Sequence, residues 1–209
     1  MPFSVTYGCL SSFALPEFCY MAFEQPRKQP RKLAPEELYQ YAVRLLGKRD
    51  YSKAEMKTKL QGRAAEADYV AGAMARLEEF SFVDDKRFAS TFAQYRKESG
   101  GFGKARVLRD LAVKRVPDEV AKEMAEKAYE GTDEGQLVAD FLARKFRGKD
   151  LKVFLAEAKN LQSAYRRLRT AGFSPNVSIK VLKRFAAGAE GLEYLETGED
   201  SSGGDFHGE

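Results

Sequence analysis

With 209 residues, the chain is long enough for one or two domains or for an array of small repeats. Its residues are 44% hydrophobic and 32% charged, and no apolar run reaches the roughly 18 residues of a membrane span, which excludes an integral membrane protein. The net charge of +4 hides an asymmetry: residues 188–209 hold seven acids and no Lys or Arg, so removing those seven charges leaves +11 on residues 1–187. A basic body with an acidic tail favours an anionic partner, nucleic acid first, over a charged surface that serves only solubility.

Residues 1–32 are predicted to form a flexible leader. The opening segment, MPFSVTYGCLSSFALPEFCYMAF, is apolar, but it lacks a basic n-region and is followed by QPRKQPRK instead of a cleavage site. Met21 is an alternative start. Cys9 and Cys19 both lie in the leader, outside the folded body, so they predict neither a disulfide framework nor a metal site. Without an export signal, we expect a cytoplasmic protein.

The hydrophobic period is helical from residue 33 to residue 187, and no segment alternates as a strand does. Pro35 suits the first turn of a helix. The SKAE sequence predicts a capping box, in which Ser52 accepts from the N–H of Glu55 while the Glu55 carboxylate returns to the N–H of Ser52. Two further helix starts are predicted by similar signals: VPDE at 116–119 and SP at 174–175.

A repeat runs through this helical body. When Leu60, Leu111 and Leu168 are placed in one column, the eighteen residues that start at each leucine align without gaps. In each copy a helix ends at the leucine, a turn follows and a new apolar-faced helix begins. The predicted fold is therefore all-α, with three tandem three-helix repeats that form an elongated, curved, right-handed-type helical array. The predicted boundaries are 33–82, 83–131 and 132–187 for the repeats and 188–209 for an acidic disordered tail.

The body carries no catalytic constellation that we can identify. Asp84 and Asp85 form an acidic pair, but the pair directly precedes KRFASTF, so helix capping is the better interpretation. The GGFG sequence lacks a preceding strand and a following Lys-Ser/Thr, and it predicts a helix stop with Gly100 or Gly101 in the left-handed conformation. The single histidine, His207, lies in the tail. We therefore expect no enzyme, no metal and no cofactor.

Three segments, YAVRLLGKRDYSKAEMKTKL, RLEEFSFVDDKRFASTF and GGFGKARVLRDL, contain a helix with paired leucines, a basic R-x-Y-S-x-x-E-L/M-x-x-K-L element, an acidic pair before R-F/Y-A, and G-x-x-x-I/V-x-x-x-L. This pattern resembles the signature of the RecX family of recombinase regulators. The resemblance spans residues 35–187 and is strongest in the first two repeats. One departure is Ala64-Ala65, where the family often has Gly-Phe; the third repeat keeps that dipeptide as Gly172-Phe173.

The resemblance implies a small helical regulator of DNA repair, homologous recombination and the SOS response. Such a protein binds the RecA recombinase filament on DNA, lies in its groove and typically inhibits its ATPase, strand-exchange and co-protease activities. Single- or double-stranded DNA is implied as a secondary contact. From the residues alone, a basic helical DNA-binding protein and an inert helical scaffold remain open. We expect a monomer, because no long apolar face is left over.

Basic residues recur on the second helix of each predicted repeat and near the helix before it. If these helices face the same way, the bases form one stripe that meets phosphates or acidic patches on a filament. Solvated helix faces are the alternative, and the acidic tail could either fold back on the stripe or serve only solubility. The predicted partner- or DNA-binding residues are Lys48, Arg49, Lys53, Lys57, Lys104, Arg106, Arg109, Lys114, Arg144, Lys145, Arg166, Arg167 and Arg169. The aromatic residues at helical core spacing, interpreted as core, are Tyr41, Phe88, Phe92, Phe141 and Phe185.

Overall fold

The computed structural model describes residues 31–186. Within that range the chain forms ten α-helices and one π-helical turn, and its extended backbone makes a single bridge, between Leu33 and Ala64. The predicted leader, apart from its last two residues, and the predicted tail lie outside the described range. The helices are α1 (Pro35–Leu46), α2 (Lys53–Gln61), α3 (Ala67–Glu79), α4 (Asp85–Tyr95), α5 (Lys104–Val113), α6 (Asp118–Tyr129), α7 (Glu134–Lys145), α8 (Leu151–Leu155), α9 (Ala158–Thr170) and α10 (Pro175–Lys183), with the π-helical turn at Arg96–Gly100.

The helices bury their apolar faces in three separate clusters, which define three bundles. Helices α1–α3 enclose the first cluster, α4–α6 the second and α7–α10 the third. Each cluster is small, so a bundle alone removes little apolar area from water and gains from contact with its neighbour. The prediction of an all-α fold built from three-helix units is confirmed for the first two bundles. The third bundle contains one helix more than predicted.

The additional helix is α8, a short element between α7 and α9. Asp150 caps it by accepting a hydrogen bond from the N–H of Lys152, over 2.9 Å. Leu151, Phe154 and Leu155 then lie on its inner face, and Leu155 is fully buried in the third cluster. This helix occupies the extra residues that separate the third repeat from the second. A five-residue helix is too short for a hydrophobic period to reveal it in the sequence.

The three aligned leucines are equivalent in the structure. Leu60, Leu111 and Leu168 lie near the ends of α2, α5 and α9, and each is fully buried. Four residues after the leucine, α5 and α9 are closed by a residue with positive φ, Arg115 at 56° and Gly172 at 88°. In both turns the next N–H donates back to the carbonyl of the leucine. The predicted repeat is therefore visible in the turns as well as in the core.

Helix α2 ends differently, at the position where the chain departs from the family pattern. Ala64 stands where the third bundle has Gly172, and its N–H donates to the carbonyl of Leu60 without a left-handed residue. The N–H of Leu33 donates to the carbonyl of Arg63 over 2.8 Å, and Leu33 accepts from the N–H of Ala65 over 3.2 Å. Because alanine disfavours the left-handed conformation, this backbone bridge replaces the glycine turn.

Candidate functional site

The first two bundles meet at Ser52, the N-cap of α2. Its hydroxyl accepts from the N–H of Glu55 over 3.1 Å, as the capping box predicts, and donates to the carbonyl of Lys114 over 2.7 Å. The second half of the predicted box is wrong. The Glu55 carboxylate does not return to Ser52 but pairs with Lys114 at 2.8 Å and with Arg49 at 3.7 Å. These contacts tie the start of α2 to the end of α5.

The acidic pair Asp84-Asp85 acts at the same boundary. Asp84 is the N-cap of α4 and accepts from the N–H of Lys86 over 2.8 Å, which confirms the capping prediction for this residue. Asp85 is 9% exposed, and its Oδ1 accepts from the N–H of Lys53 over 2.9 Å. It therefore caps α2, which belongs to another bundle. Among residues 31–186 no group of three or more His, Cys, Asp or Glu side chains could hold a metal ion.

The second and third bundles meet through their backbones. The N–H of Gly103 donates to the carbonyl of Ala171 over 2.9 Å, and the N–H of Ala105 donates to the carbonyl of Gly172 over 3.3 Å. A Cβ atom on Gly103 would overlap the Gly172 carbonyl, and one on Gly172 would overlap the backbone of Arg106. Both glycines are therefore required for the close approach of α5 and α9.

The GGFG segment leads into this contact. The π-helical turn ends at Gly100, and Gly101 follows with φ of 55°, so the predicted left-handed glycine is confirmed. The Arg144 guanidinium donates to the carbonyls of Ser99 and Gly100, at 3.3 and 3.2 Å, and lies where a Gly101 side chain would be. Arg144, one of the predicted binding residues, thus closes the end of a helix in the preceding bundle.

Eight of the thirteen predicted binding residues have partners inside the protein. Arg106 pairs with Asp110 at 3.0 Å, and Arg109 donates to the carbonyl of Thr170 over 3.1 Å. These partners hold helix ends and bundle contacts, so a ligand would have to compete with them. The others with partners are Arg49 and Lys114 with Glu55, Lys53 with Glu78, Lys104 with Glu126, Arg144 as above, and Arg169 with the carbonyl of Phe173.

The side chains of the remaining five predicted residues are exposed and make no hydrogen bond or ion pair with another residue in the range 31–186. They are Lys48, Lys57, Lys145, Arg166 and Arg167. Three of the five, Lys145, Arg166 and Arg167, line one depression of about 630 Å³, which we term the basic cleft. The predicted stripe is therefore divided, and the cations that can reach a ligand without breaking a contact are concentrated at the third bundle.

The basic cleft lies between α5, α7 and α9. Five cations line it and no carboxylate does; Arg106 is paired with Asp110 behind the lining, and the other four cations give the cleft a field that favours an anion. Lys159 is not among the predicted residues, although it stands seven positions before Arg166 on the same face of α9. That spacing is the sequence signal that could have found it. The lining residues are Phe102, Arg106, Phe141, Lys145, Lys159, Gln162, Ser163, Arg166, Arg167, Thr170 and Ala171.

Two phenylalanine rings form the apolar part of the basic cleft. Phe141 packs edge-on against the buried Phe173, with ring centroids 5.6 Å apart. It therefore contacts the third core cluster, as its spacing predicts, and also lines the cleft. Phe102 is held at its backbone, because the Tyr129 hydroxyl donates to its carbonyl. Burial raises the pKa of Tyr129 to about 12, which keeps this donor protonated. The cleft thus combines fixed rings with exposed cations.

A second and larger cleft, of about 880 Å³, lies on the α6 side of the same contact between bundles. Its lining mixes charges of both signs, with Lys104, Lys127 and Arg169 beside four glutamates. An anion gains little there, because the glutamates repel it. The four glutamates are Glu123, Glu126, Glu130 and Glu134.

In the described part of the chain, no helix combines the length and the apolar character needed to cross a membrane.

Family models match two segments of the chain. The model of the first three-helix domain of RecX matches residues 39–77, and that of the second three-helix domain matches residues 84–124. The regulatory protein RecX of Xanthomonas campestris pv. campestris is 32% identical over 158 residues, which cover 76% of this chain and 93% of that protein. The regulatory protein RecX of Syntrophotalea carbinolica is 27% identical over 136 residues, with 65% and 88% covered.

A solved structure also matches. The crystal structure of RecX from Lactobacillus salivarius has a TM-score of 0.56 and 18% sequence identity, and the match covers 72% of this chain and 96% of that one. At this identity the likeness shows the helical fold.

Proposed function

Because the chain belongs to the RecX family, we propose that it is a regulatory protein that binds the RecA recombinase filament on DNA and inhibits its ATPase, strand-exchange and co-protease activities. The observation that carries the proposal is the 32% identity to a regulatory protein RecX over 93% of that relative's length. The proposed role is not enzymatic. We place the protein in the cytoplasm, where the filament forms, and propose that it acts as a monomer.

The basic cleft is the surface that we assign to this role. Four of its cations make no ion pair within the described range, so a ligand can engage them without breaking one. They are Lys145, Lys159, Arg166 and Arg167. Acidic patches on filament subunits and DNA phosphates both fit these cations. Fixed walls support the assignment, because the backbone contact at Gly103 and Ala171 holds two sides of the cleft before a ligand arrives.

The cleft also favours a second candidate function, a basic helical DNA-binding protein that acts by charge alone. Five cations without a carboxylate suit any polyanion. The two candidates differ in their response to excess DNA. A filament modulator acts on the protein–DNA assembly, whereas a simple DNA binder competes with the recombinase for free strand.

The test is the DNA-dependent ATPase rate of the cognate RecA, measured with this protein titrated in at DNA concentrations well above saturation. The proposal expects inhibition at substoichiometric amounts that further DNA does not relieve. An unchanged rate, or inhibition that added DNA abolishes, would contradict it and favour the DNA-binding alternative.

Two variants with the same loss of charge make the test specific for the surface. The cleft variant carries Lys145→Gln, Lys159→Gln and Arg166→Gln. The control variant carries Lys122→Gln, Lys152→Gln and Lys180→Gln, three exposed positions that do not line the cleft. We expect the cleft variant to lose at least about tenfold in inhibitory potency, which corresponds to about 1.4 kcal/mol, and the control variant to lose less than about twofold.

A further inference from the structure

The basic cleft and residues 188–209 have opposite charge and belong to the same chain. Five cations and no carboxylate line the cleft, whereas residues 188–209 contain seven acids and no Lys or Arg. We propose that residues 188–209, termed the acidic segment, bind in the basic cleft of their own chain and compete there with the anionic partner. The competition part of this inference rests on the proposed function, but the contact itself does not.

The order of residues in the acidic segment suits the lining of the cleft. Leu192, Tyr194 and Leu195 are interleaved with Glu193 and Glu196. Apolar side chains in such a sequence can cover the rings in the cleft while the carboxylates meet the cations around them. Each exposed ion pair contributes little, so the contact requires several pairs together with the covered apolar surface. A run of acids without apolar residues could form the ion pairs but could not cover the apolar surface of the rings.

The rings and the cations of the cleft are placed for such a ligand. Phe102 and Phe141 line the same depression as Lys145, Lys159 and Arg166. The two rings are only partly buried, so they still have apolar surface to cover. The cations lie on two helices, α7 and α9, so an extended segment between them can meet charges on both sides.

The covalent link places the acidic segment within reach of the cleft. The last described residue, Ala186, is 8% exposed and packs in the third cluster, whose helices also carry the cleft. The 22 residues from 188 to 209 span up to roughly 70 Å when extended, whereas a 13-residue helix such as α9 is about 20 Å long. A tether of this kind gives an effective concentration on the order of millimolar, so a weak contact is sufficient.

Other surfaces of residues 31–186 suit the acidic segment less well. The larger cleft presents four glutamates, which repel it. Lys57, in the first bundle, lines a depression that also contains Glu66 and Glu78. Of these three clefts in residues 31–186, the basic cleft is the one that joins several unpaired cations to partly exposed aromatic rings.

The contact can be tested without recombinase or DNA. A fluorescently labelled synthetic peptide of residues 188–209 is titrated with a variant of the full chain in which the acidic segment, the competitor in cis, has lost five of its seven acids. That variant carries Glu190→Gln, Glu193→Gln, Glu196→Gln, Glu199→Gln and Asp200→Asn. We expect binding at low ionic strength that weakens at least fivefold when the cleft substitutions are added and less than twofold when the control substitutions are added. Equal weakening by both sets would overturn the proposal, as would an equal affinity for a peptide of scrambled order.

The competition is measured with a labelled 20-nucleotide oligo(dT). Neutralising the acidic segment is expected to tighten oligonucleotide binding about five- to tenfold in the otherwise unmodified chain and in the control variant. In the cleft variant the same change should give less than about twofold. A gain that is equal in all three backgrounds would show an effect of net charge alone and would overturn the proposal.

The two proposals fail separately. Peptide binding at the cleft without any ATPase inhibition would contradict the proposed function and leave the contact between the acidic segment and the cleft intact. Cleft-dependent ATPase inhibition without peptide binding would overturn this inference alone.

Discussion

The Oδ1 atom of Asp85 accepts a hydrogen bond from the backbone N–H of Lys53, over 2.9 Å, although the two residues belong to different bundles. Lys53 is the first residue of α2, so this N–H has no partner within its own helix. Asp85 supplies that partner from the start of α4. A helix cap, which is usually a local feature, here joins two repeats.

Asp85→Ala should destabilise the protein by about 1–3 kcal/mol, because it leaves a poorly solvated N–H without a partner and removes a bundle contact. Urea unfolding measures the loss. Asp84→Ala is the matched control, since Asp84 is exposed and caps only its own helix; we expect about 1 kcal/mol there. An equal cost for the two substitutions would contradict the coupling of the bundles through Asp85.

The Glu55–Lys114 pair should show a measurable coupling energy. Their side chains are only 21% and 28% exposed, so solvent screens the pair less than an ordinary surface pair. A double-mutant cycle with Glu55→Gln and Lys114→Gln should give about 0.5–1.5 kcal/mol. The Glu123–Lys127 pair, at 43% and 64% exposure, should give a clearly smaller coupling in the same cycle, because solvent screens it. Similar couplings in both cycles would argue against a special role for Lys114.

Gly172→Ala should cost more than a left-handed alanine alone. Gly172 and Gly148 have similar positive φ angles, 88° and 81°, but only Gly172 has backbone atoms in the place of a Cβ. We expect about 1–2 kcal/mol for Gly148→Ala, which is the conformational cost. Gly172→Ala should add a further 1–3 kcal/mol from the overlap with Arg106. Thermal unfolding of the two variants separates the terms, and equal costs would contradict the close packing.

The salt dependence of oligonucleotide binding should identify the cleft cations. Each contact between a cation and a phosphate of single-stranded DNA contributes about 0.7 to the slope of log K against log salt. Under the proposed function, the cleft variant should lower this slope by about 2, and the control variant by less than about 0.7. A slope unchanged by the cleft variant would place the DNA contact elsewhere.

Stability should fall between pH 10 and pH 12 in a way that depends on Tyr129. Burial raises the pKa of Tyr129 to about 12, while an unfolded tyrosine ionises near its ordinary value of about 10. Over that window the unfolded chain binds fewer protons than the folded chain, so the free energy of unfolding decreases as the pH rises. The contribution is complete below pH 10.

Tyr129→Phe should lower stability at pH 8, because it removes the hydrogen bond to Phe102, and should flatten the decline above pH 10. Tyr95→Phe serves as the control, because Tyr95 is 63% exposed and should leave the profile unchanged. Denaturant unfolding at pH 8, 10 and 11 distinguishes the two variants. An unaltered alkaline decline in Tyr129→Phe would contradict the assignment.

Features that depend on neighbouring residues could be predicted from the sequence. Pro35 begins α1, Asp84 caps α4 and Gly101 adopts a left-handed conformation, because each depends on backbone groups a few residues away. The repeat could also be predicted, since equivalent leucines must be buried in equivalent bundles.

Features that depend on residues far away in the sequence could not be predicted from it. Glu55 has the spacing of a capping box, yet Lys114, 59 positions later, takes its carboxylate. The thirteen basic residues look alike in the sequence, and only the fold separates Arg109, which holds the carbonyl of Thr170, from Arg166, which faces the cleft. The difference between a structural and an available cation lies in tertiary contacts.

The backbone contact between α5 and α9 also affects how the protein can evolve. Apart from Gly103 and Gly172, which must stay small, the backbone hydrogen bonds there place no demand on side-chain chemistry, and the side-chain bond from Arg109 to the carbonyl of Thr170 does not involve a residue that lines the cleft through its charge. Substitutions at Lys159, Arg166 or Arg167 can therefore accumulate without shifting the helices that carry them. A lineage whose partner changes its surface could alter the charge of the cleft residue by residue, while the geometry of the walls is inherited unchanged.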